Sequence, residues 1–136
     1  MPNKLAEFLE DFSLYQDRAE RIDALIGLGG EFVNPLADEV PRTVESRVPG
    51  CESEVYLATE PLGDGLKFKF AVDNPQGISA MALARVLDLT LSGEPLDQVA
   101  GVSEDVVYDI FGRELSMGKS LGLTGMVRMV RTAAAR

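Results

Sequence analysis

The chain has 136 residues, 46% of them hydrophobic, 26% charged and 7% aromatic, the make-up of one soluble domain with room for a core and too short for two. Thirteen basic against 22 acidic residues leave a net charge of −9, which argues against nucleic acid and anionic membrane surfaces as partners. One cysteine and no histidine exclude an internal disulfide, a Cys-x-x-Cys redox pair, a multi-cysteine zinc or iron–sulfur site, and Ser-His-Asp or Cys-His catalysis.

Any chemistry therefore falls to Cys51 or to carboxylates. The longest run without a charged residue is 74–84, well short of the roughly 18–20 residues that span a bilayer. The N-terminal Met1-Pro2-Asn3-Lys4-Leu5-Ala6-Glu7 has no apolar signal-like stretch, so a cytoplasmic address is expected. Fourteen of the acids lie in residues 1–64, whereas 119–136 holds Lys119, Arg128, Arg131 and Arg136 and no acid.

Helical spacing of Leu5, Phe8, Leu9 and Phe12 predicts a first helix over 3–14 with Asn3 as its N-cap. A second, at about 16–28, carries Ala19, Ile22, Leu25 and Ile26 and is expected to stop at Gly29-Gly30. Residues 31–49, with Pro35, Pro41 and Pro49, read as a connection holding at most a short strand at 42–47. Residues 54–60 and 66–72 then read as strands. In the second, Leu66, Phe68 and Phe70 share one face and Lys67 and Lys69 the other. With Gly63 and Gly65 in the turn between them, the pair predicts an antiparallel hairpin with one wet face.

From Gly77 to Leu91 apolar residues cover almost the whole helical circumference, which marks a central buried helix. Gly93 ends it, Pro95 opens a short helix, and Ser103-Glu104-Asp105 caps another running to about Phe111. A last helix at about 120–134 turns Leu123, Met126, Val127 and Val130 to one side. The fold class predicted is α+β, a small antiparallel sheet packed by helices, in one domain over 1–136.

Chemistry concentrates at Val48-Pro49-Gly50-Cys51-Glu52-Ser53-Glu54. Pro-Gly makes a turn, so Cys51 lies on a loop at the mouth of the sheet, and Gly50 leaves room for a partner to approach. Glu52 and Glu54 disfavour a thiolate, which Arg47 or the basic C-terminal region could offset. A lone thiol can equally be an inert small hydrophobe. Gly27-Leu28-Gly29-Gly30 lacks a phosphate-loop lysine and reads as a helix stop. Asp38-Glu39 and Glu104-Asp105 read as solvated surface acids rather than a metal site, and Met126 and Met129 as helix packing.

Gly50-Cys51-x-Ser53-x-Val55-Tyr56 resembles the cysteine motif of the SufE family of cysteine-desulfuration proteins. The order of elements is similar over essentially the whole chain. So is the stretch Leu115-Ser116-Met117-Gly118-Lys119-Ser120-Leu121-Gly122-Leu123-x-x-Met126, which resembles the family's C-terminal motif. Glu52 and Glu54 stand where the family has glutamines, Tyr56 where it has tryptophan, Lys119 where it has arginine, and Ala80-Met81 where it has a basic-glycine pair.

The resemblance implies a SufE/IscU-like fold and a sulfur relay. Cys51 would accept persulfide sulfur from a SufS-like cysteine desulfurase, stimulate that enzyme, and pass the sulfur to an iron–sulfur scaffold. The chain would not itself be an enzyme. It would hold no cofactor and no metal, since the pyridoxal phosphate belongs to the desulfurase and the persulfide on Cys51 is the only covalent intermediate. Asp73 and Lys119 match family motif positions and would support the loop or dock the partner; Gly50 and Arg47 are flanking candidates. A persulfide is open to oxidation, so Cys51 is expected to be sheltered between transfers by apolar residues around the turn, the loop opening on docking. It is then expected to alkylate slowly alone and faster with the desulfurase present. The competing reading is a binding or regulatory module in which Cys51 is structural.

Overall fold

Residues 1–113 and 115–136 are described by a computed structural model in which helices pack around one antiparallel hairpin, an α+β arrangement as the patterning predicts. β1 (Val55–Leu62) pairs with β2 (Gly65–Val72) in a register running from Val55 opposite Val72 to Leu62 opposite Gly65. Gly63, the first central residue of the two-residue turn, takes φ +59°, a backbone that a Cβ would strain.

Val55, Leu57, Phe68, Phe70 and Val72 are buried in the main core. The opposite face is less wet than its lysines suggest. Val40 is fully buried against Tyr56 and Ala71 there, so the connection from residue 31 covers the end of the hairpin nearest Cys51. The short strand expected at 42–47 reduces to a single bridge between Arg47 and Tyr56, flanked by Val48 N–H on Val55 O (2.8 Å) and Leu57 N–H on Ser46 O (2.8 Å).

The core side of the hairpin is covered by α3 (Ile78–Leu91), which also touches α1 (Asn3–Phe12), α2 (Arg18–Gly30) and α6 (Met117–Ala135). A helix with neighbours on every side must be apolar all round and small where they come close. Ala80, Ala82 and Ala84 alternate accordingly with Leu83, Val86 and Leu87 in the buried set. Truncating a leucine such as Leu83 or Leu87 to alanine costs about 2–5 kcal/mol in such a setting. Buried Thr90 satisfies its hydroxyl on Val86 O at 2.6 Å.

Local rules fail in two places. Asn3 is the first helical residue of α1 rather than its cap; Pro2 holds the N-cap position, with no side-chain cap. α2 starts with the Asp17 side chain accepting Ala19 N–H and ends on Gly29-Gly30, with Glu31 as its C-cap. A Cβ on Gly29 would stand 2.9 Å from Ile78 O, so this glycine also lets α2 and α3 approach. Only Leu25 of the predicted α2 stripe is buried; Ile22 and Ile26 are about half exposed. They line a groove of about 760 Å³ bounded on its far side by Phe111 and Leu115.

α4 (Leu96–Ala100) and α5 (Val106–Phe111) complete the chain order before α6. α6 begins three residues earlier than the apolar spacing suggests, because Ser116 caps it by accepting Lys119 N–H at 3.3 Å. Two of its arginines are committed elsewhere. Arg128 Nη2 and Arg131 Nη1 reach Glu104 at 2.8 and 3.4 Å, pinning α6 to the α4–α5 connection rather than balancing the acids beside Cys51.

Candidate functional site

Val48 N–H donates to Val55 O, so residues 49–54 must reverse the chain within one tight loop. Two left-handed residues make that possible: Gly50 at φ +76° and Glu54 at φ +54°. Glu54 is the one non-glycine residue with positive φ among the described residues, a conformation that costs on the order of 1 kcal/mol or more. Its surroundings hold it there. Glu54 O accepts Asp73 N–H at 3.1 Å and Ser53 O accepts Asn74 N–H at 3.2 Å, so the end of β2 grips the end of the loop.

The loop turns Cys51 inward. Cys51 is only 7% exposed and closes onto α6, where a Cβ on Gly122 would lie 3.1 Å from Cys51 Sγ. On the opposite side Gly77 makes room for Ser53, whose Oγ would stand 2.9 Å from a Cβ there. Beside the sulfur opens a cleft of about 280 Å³ lined by Cys51, Ser53, Gln76, Ser79, Lys119 and Leu123, among others. Its walls mix amide, hydroxyl and ammonium groups with aliphatic surface.

Burial pushes the Cys51 thiol above its ordinary pKa, because a thiolate loses hydration there. The backbone N–H groups of Ser53 and Val55 and the charge of Arg47 pull it part of the way back, while Glu52 adds to the rise. The proton is thus held more tightly in the folded chain than in the unfolded one. Iodoacetamide alkylation of the free protein is accordingly expected to be slow at pH 7. The midpoint of its pH–rate profile should lie above that of a denatured control, whose thiol is half ionised at pH ~8.5. A pH–rate profile that levels at or below the pH of a denatured control would contradict that ordering.

The other candidates fall in different places. Lys119 is exposed on the first turn of α6 and lines the cysteine cleft and the larger groove alike. Gly50 faces Leu121, 3.8 Å from where its Cβ would be, and Arg47 is on the bridge to Tyr56. Asp73 lies outside the cleft lining. It accepts Arg42 Nη2 at 3.0 Å and Asn34 Nδ2 at 3.1 Å, which holds its carboxyl below the usual range, Arg42 being the main cause.

Sequence reasoning missed that triad. Arg42 also donates to Val40 O and Pro35 O, both at 2.7 Å, and lies 5.9 Å over the Tyr56 ring. Asn34 Oδ1 accepts Val72 N–H at 2.9 Å. Together they lash the connecting segment to the hairpin end that carries Cys51. Partners 31 and 39 residues apart leave no signal in one sequence. The glycines facing the loop from α6 did leave one, since Gly118, Gly122 and Gly125 recur at helical spacing on one face.

Among the described residues no three His, Cys, Asp or Glu side chains are grouped to hold a metal ion, and no helix is long and apolar enough to cross a membrane.

Comparison with known proteins gives a consistent picture. The family described as "SufE: Fe-S metabolism associated domain" matches residues 6–134. An uncharacterized SufE-like protein of Rhizobium etli is 33% identical over 134 residues, covering 96% of this chain and 88% of its own. A second, from Rhizobium meliloti, is 30% identical over 141 residues, covering 96% and 94%. The solution structure of a hypothetical protein from Thermus thermophilus superposes with a TM-score of 0.72 at 20% identity, over 99% of this chain and 96% of that one, a likeness of fold.

Proposed function

The chain belongs to the SufE family, a domain associated with iron–sulfur metabolism, and from that premise we propose that Cys51 is a sulfur acceptor for a pyridoxal-phosphate-dependent cysteine desulfurase. The observation that carries the reading is a single thiol on a loop, closed over a cleft with space for one more sulfur atom. The step is an exchange without net redox change. The Cys51 thiolate attacks the terminal sulfur of the desulfurase's persulfide, and a new S–S bond forms on Cys51. The old S–S bond breaks with its electron pair on the desulfurase cysteine, which takes up the proton that Cys51 gave up.

The geometry supports each half of that cycle. A persulfide is open to oxidation, and a carrier that holds its sulfur at 7% exposure shelters it between partners. The raised pKa keeps the resting thiol protonated and slow to react, since above ambient pH the loss of thiolate outweighs the gain in nucleophilicity. Lys119 at the cleft rim and Arg47 beside the loop supply the cations that would meet an acidic partner surface or an anionic persulfide. Asp73 supports the loop through its backbone N–H on Glu54 O and through Arg42. The carrier then delivers sulfur to an iron–sulfur scaffold, in the cytoplasm, and accelerates the desulfurase by removing its product.

Burial of Cys51 favours one other reading, a binding module whose cysteine merely packs. Mass spectrometry separates the two. Incubated with a desulfurase and cysteine, the peptide bearing Cys51 is expected to gain one sulfur, about 32 Da, which a reductant removes. A mass that stays unchanged while the desulfurase turns over would sink the acceptor reading.

A further inference from the structure

Three glycines on one face of α6 call for an explanation, because glycine inside a helix is unfavourable relative to alanine. Each faces the Cys51 loop. The three nearest atoms to a Cβ on Gly122 would be Cys51 Cα and Sγ at 3.1 Å and Cys51 Cβ at 3.3 Å. On Gly125 they would be Pro49 O and Val48 Cγ1, both at 3.1 Å, and on Gly118 the Glu52 carboxylate at 3.6 Å. Gly27, inside α2, has nothing within 4 Å of such a position.

We propose that Gly122 is the positioning residue of the Cys51 loop. Its missing side chain is the seat into which the thiol closes, and the closeness of that seat sets how often Cys51 is presented to another molecule. The purpose of the seat rests on reading Cys51 as the sulfur acceptor; its geometry does not.

The loop is built to move between two states. Its backbone hydrogen bonds to the rest of the fold come at its ends, through Val48 on one side and through Ser53 and Glu54 on the other. Both left-handed residues, Gly50 and Glu54, bracket the cysteine, so the bend that turns Cys51 inward is concentrated at two hinges. Strain at Glu54 favours leaving the closed state, and contact with the bare backbone of α6 at Gly122 favours keeping it. A methyl group on Gly122 removes the second without touching the first. The contacts there are tighter than ordinary van der Waals distance, and the loop is the neighbour able to give way.

The test compares Gly122→Ala with Gly27→Ala in the free protein. Both gain helix propensity, and only the first meets the loop. Cys51 of G122A is expected to alkylate with iodoacetamide roughly five- to tenfold faster than wild type, as a local opening becomes more populated, while G27A reacts at the wild-type rate. Alkylation of G122A at the wild-type rate overturns the proposal. So does a G122A chain that far-UV circular dichroism shows unfolded, since Gly122 would then be a requirement of the core and not the seat of a movable loop.

A second variant reads the juxtaposition itself. In Gly122→Cys, oxidised glutathione should remove two hydrogens and close a disulfide to Cys51 each time the displaced loop returns, the closed-state Cβ–Cβ separation of 3.3 Å lying a little under the roughly 3.5–4.5 Å such a bond takes. A folded G122C that keeps two free thiols after oxidation counts against the seat. No desulfurase takes part in either measurement. A protein that alkylates as expected yet never gains sulfur would keep the seat and lose the proposed function.

Discussion

Cys51→Ser is expected to reduce desulfurase stimulation to nothing, leaving the desulfurase at its own basal rate of sulfide release, while the variant still folds and still binds its partner. Serine keeps the shape and the acceptor for the Ser53 and Val55 N–H groups that contact Cys51 Sγ. The change in stability should therefore stay within about 1 kcal/mol. What it loses is the nucleophile: a hydroxyl does not ionise at neutral pH, and no second thiol exists in the chain to stand in. The measurement is sulfide released from cysteine under reductant at saturating carrier, alongside a melting curve and a pull-down with the desulfurase. A C51S protein that still stimulates, or one whose fold collapses, would place the cysteine in a structural role. Both results run opposite to those expected of a carrier.

Much of the frame that presents this thiol is legible in the residues. Strict alternation through Leu66, Phe68 and Phe70 pairs with a two-residue glycine turn in only one way. A segment apolar on all sides, such as 78–91, has nowhere to lie but the centre. Pro49-Gly50 ahead of a strand start puts Cys51 on a loop for the same local reason. What escapes reading depends on contacts between distant segments. Gly29-Gly30 ends α2 as a helix stop should, but that Ile78 packs on Gly29 is visible only in the fold. Ile22 and Ile26 keep helical spacing with Leu25, yet α3 covers only part of that stripe and leaves them on a groove. Arg128 and Arg131 give the C-terminus a basic composition, but Glu104 takes both, so composition overstates the positive charge available to the site. Gly118, Gly122 and Gly125 stand in the sequence at matching spacing, and their partner becomes visible only once the loop is laid over α6.

Arg42→Ala should be the most damaging surface-facing substitution in the connecting segment, costing about 2–3 kcal/mol. Hydrogen bonds to a charged group are worth roughly 1.5–3 kcal/mol on removal, and the figure stays at that level because the Arg42–Asp73 pair is a quarter to a third exposed and solvent screens it. The loss includes the carbonyls of Pro35 and Val40 and the contact over Tyr56. Urea unfolding at pH 7 reads it directly. Asp73→Asn isolates the charge. Because its partners hold the Asp73 carboxyl below the usual range, the ionised form stabilises the fold above the unfolded carboxylate pKa of about 3.9. That contribution drains away as pH falls through the lower folded value. Wild type should therefore lose stability below pH ~4 more steeply than D73N does. The two variants also bear on the thiol. Asp73 and Asn74 grip Glu54 O and Ser53 O, so slackening this end of β2 should speed Cys51 alkylation in R42A even though Arg42 is outside the cleft lining. An R42A protein as stable as wild type, with an unchanged alkylation rate, would mean that packing of Val40 on Tyr56 and Ala71 alone holds the segment, and that the ion pair has no hand in keeping the loop closed.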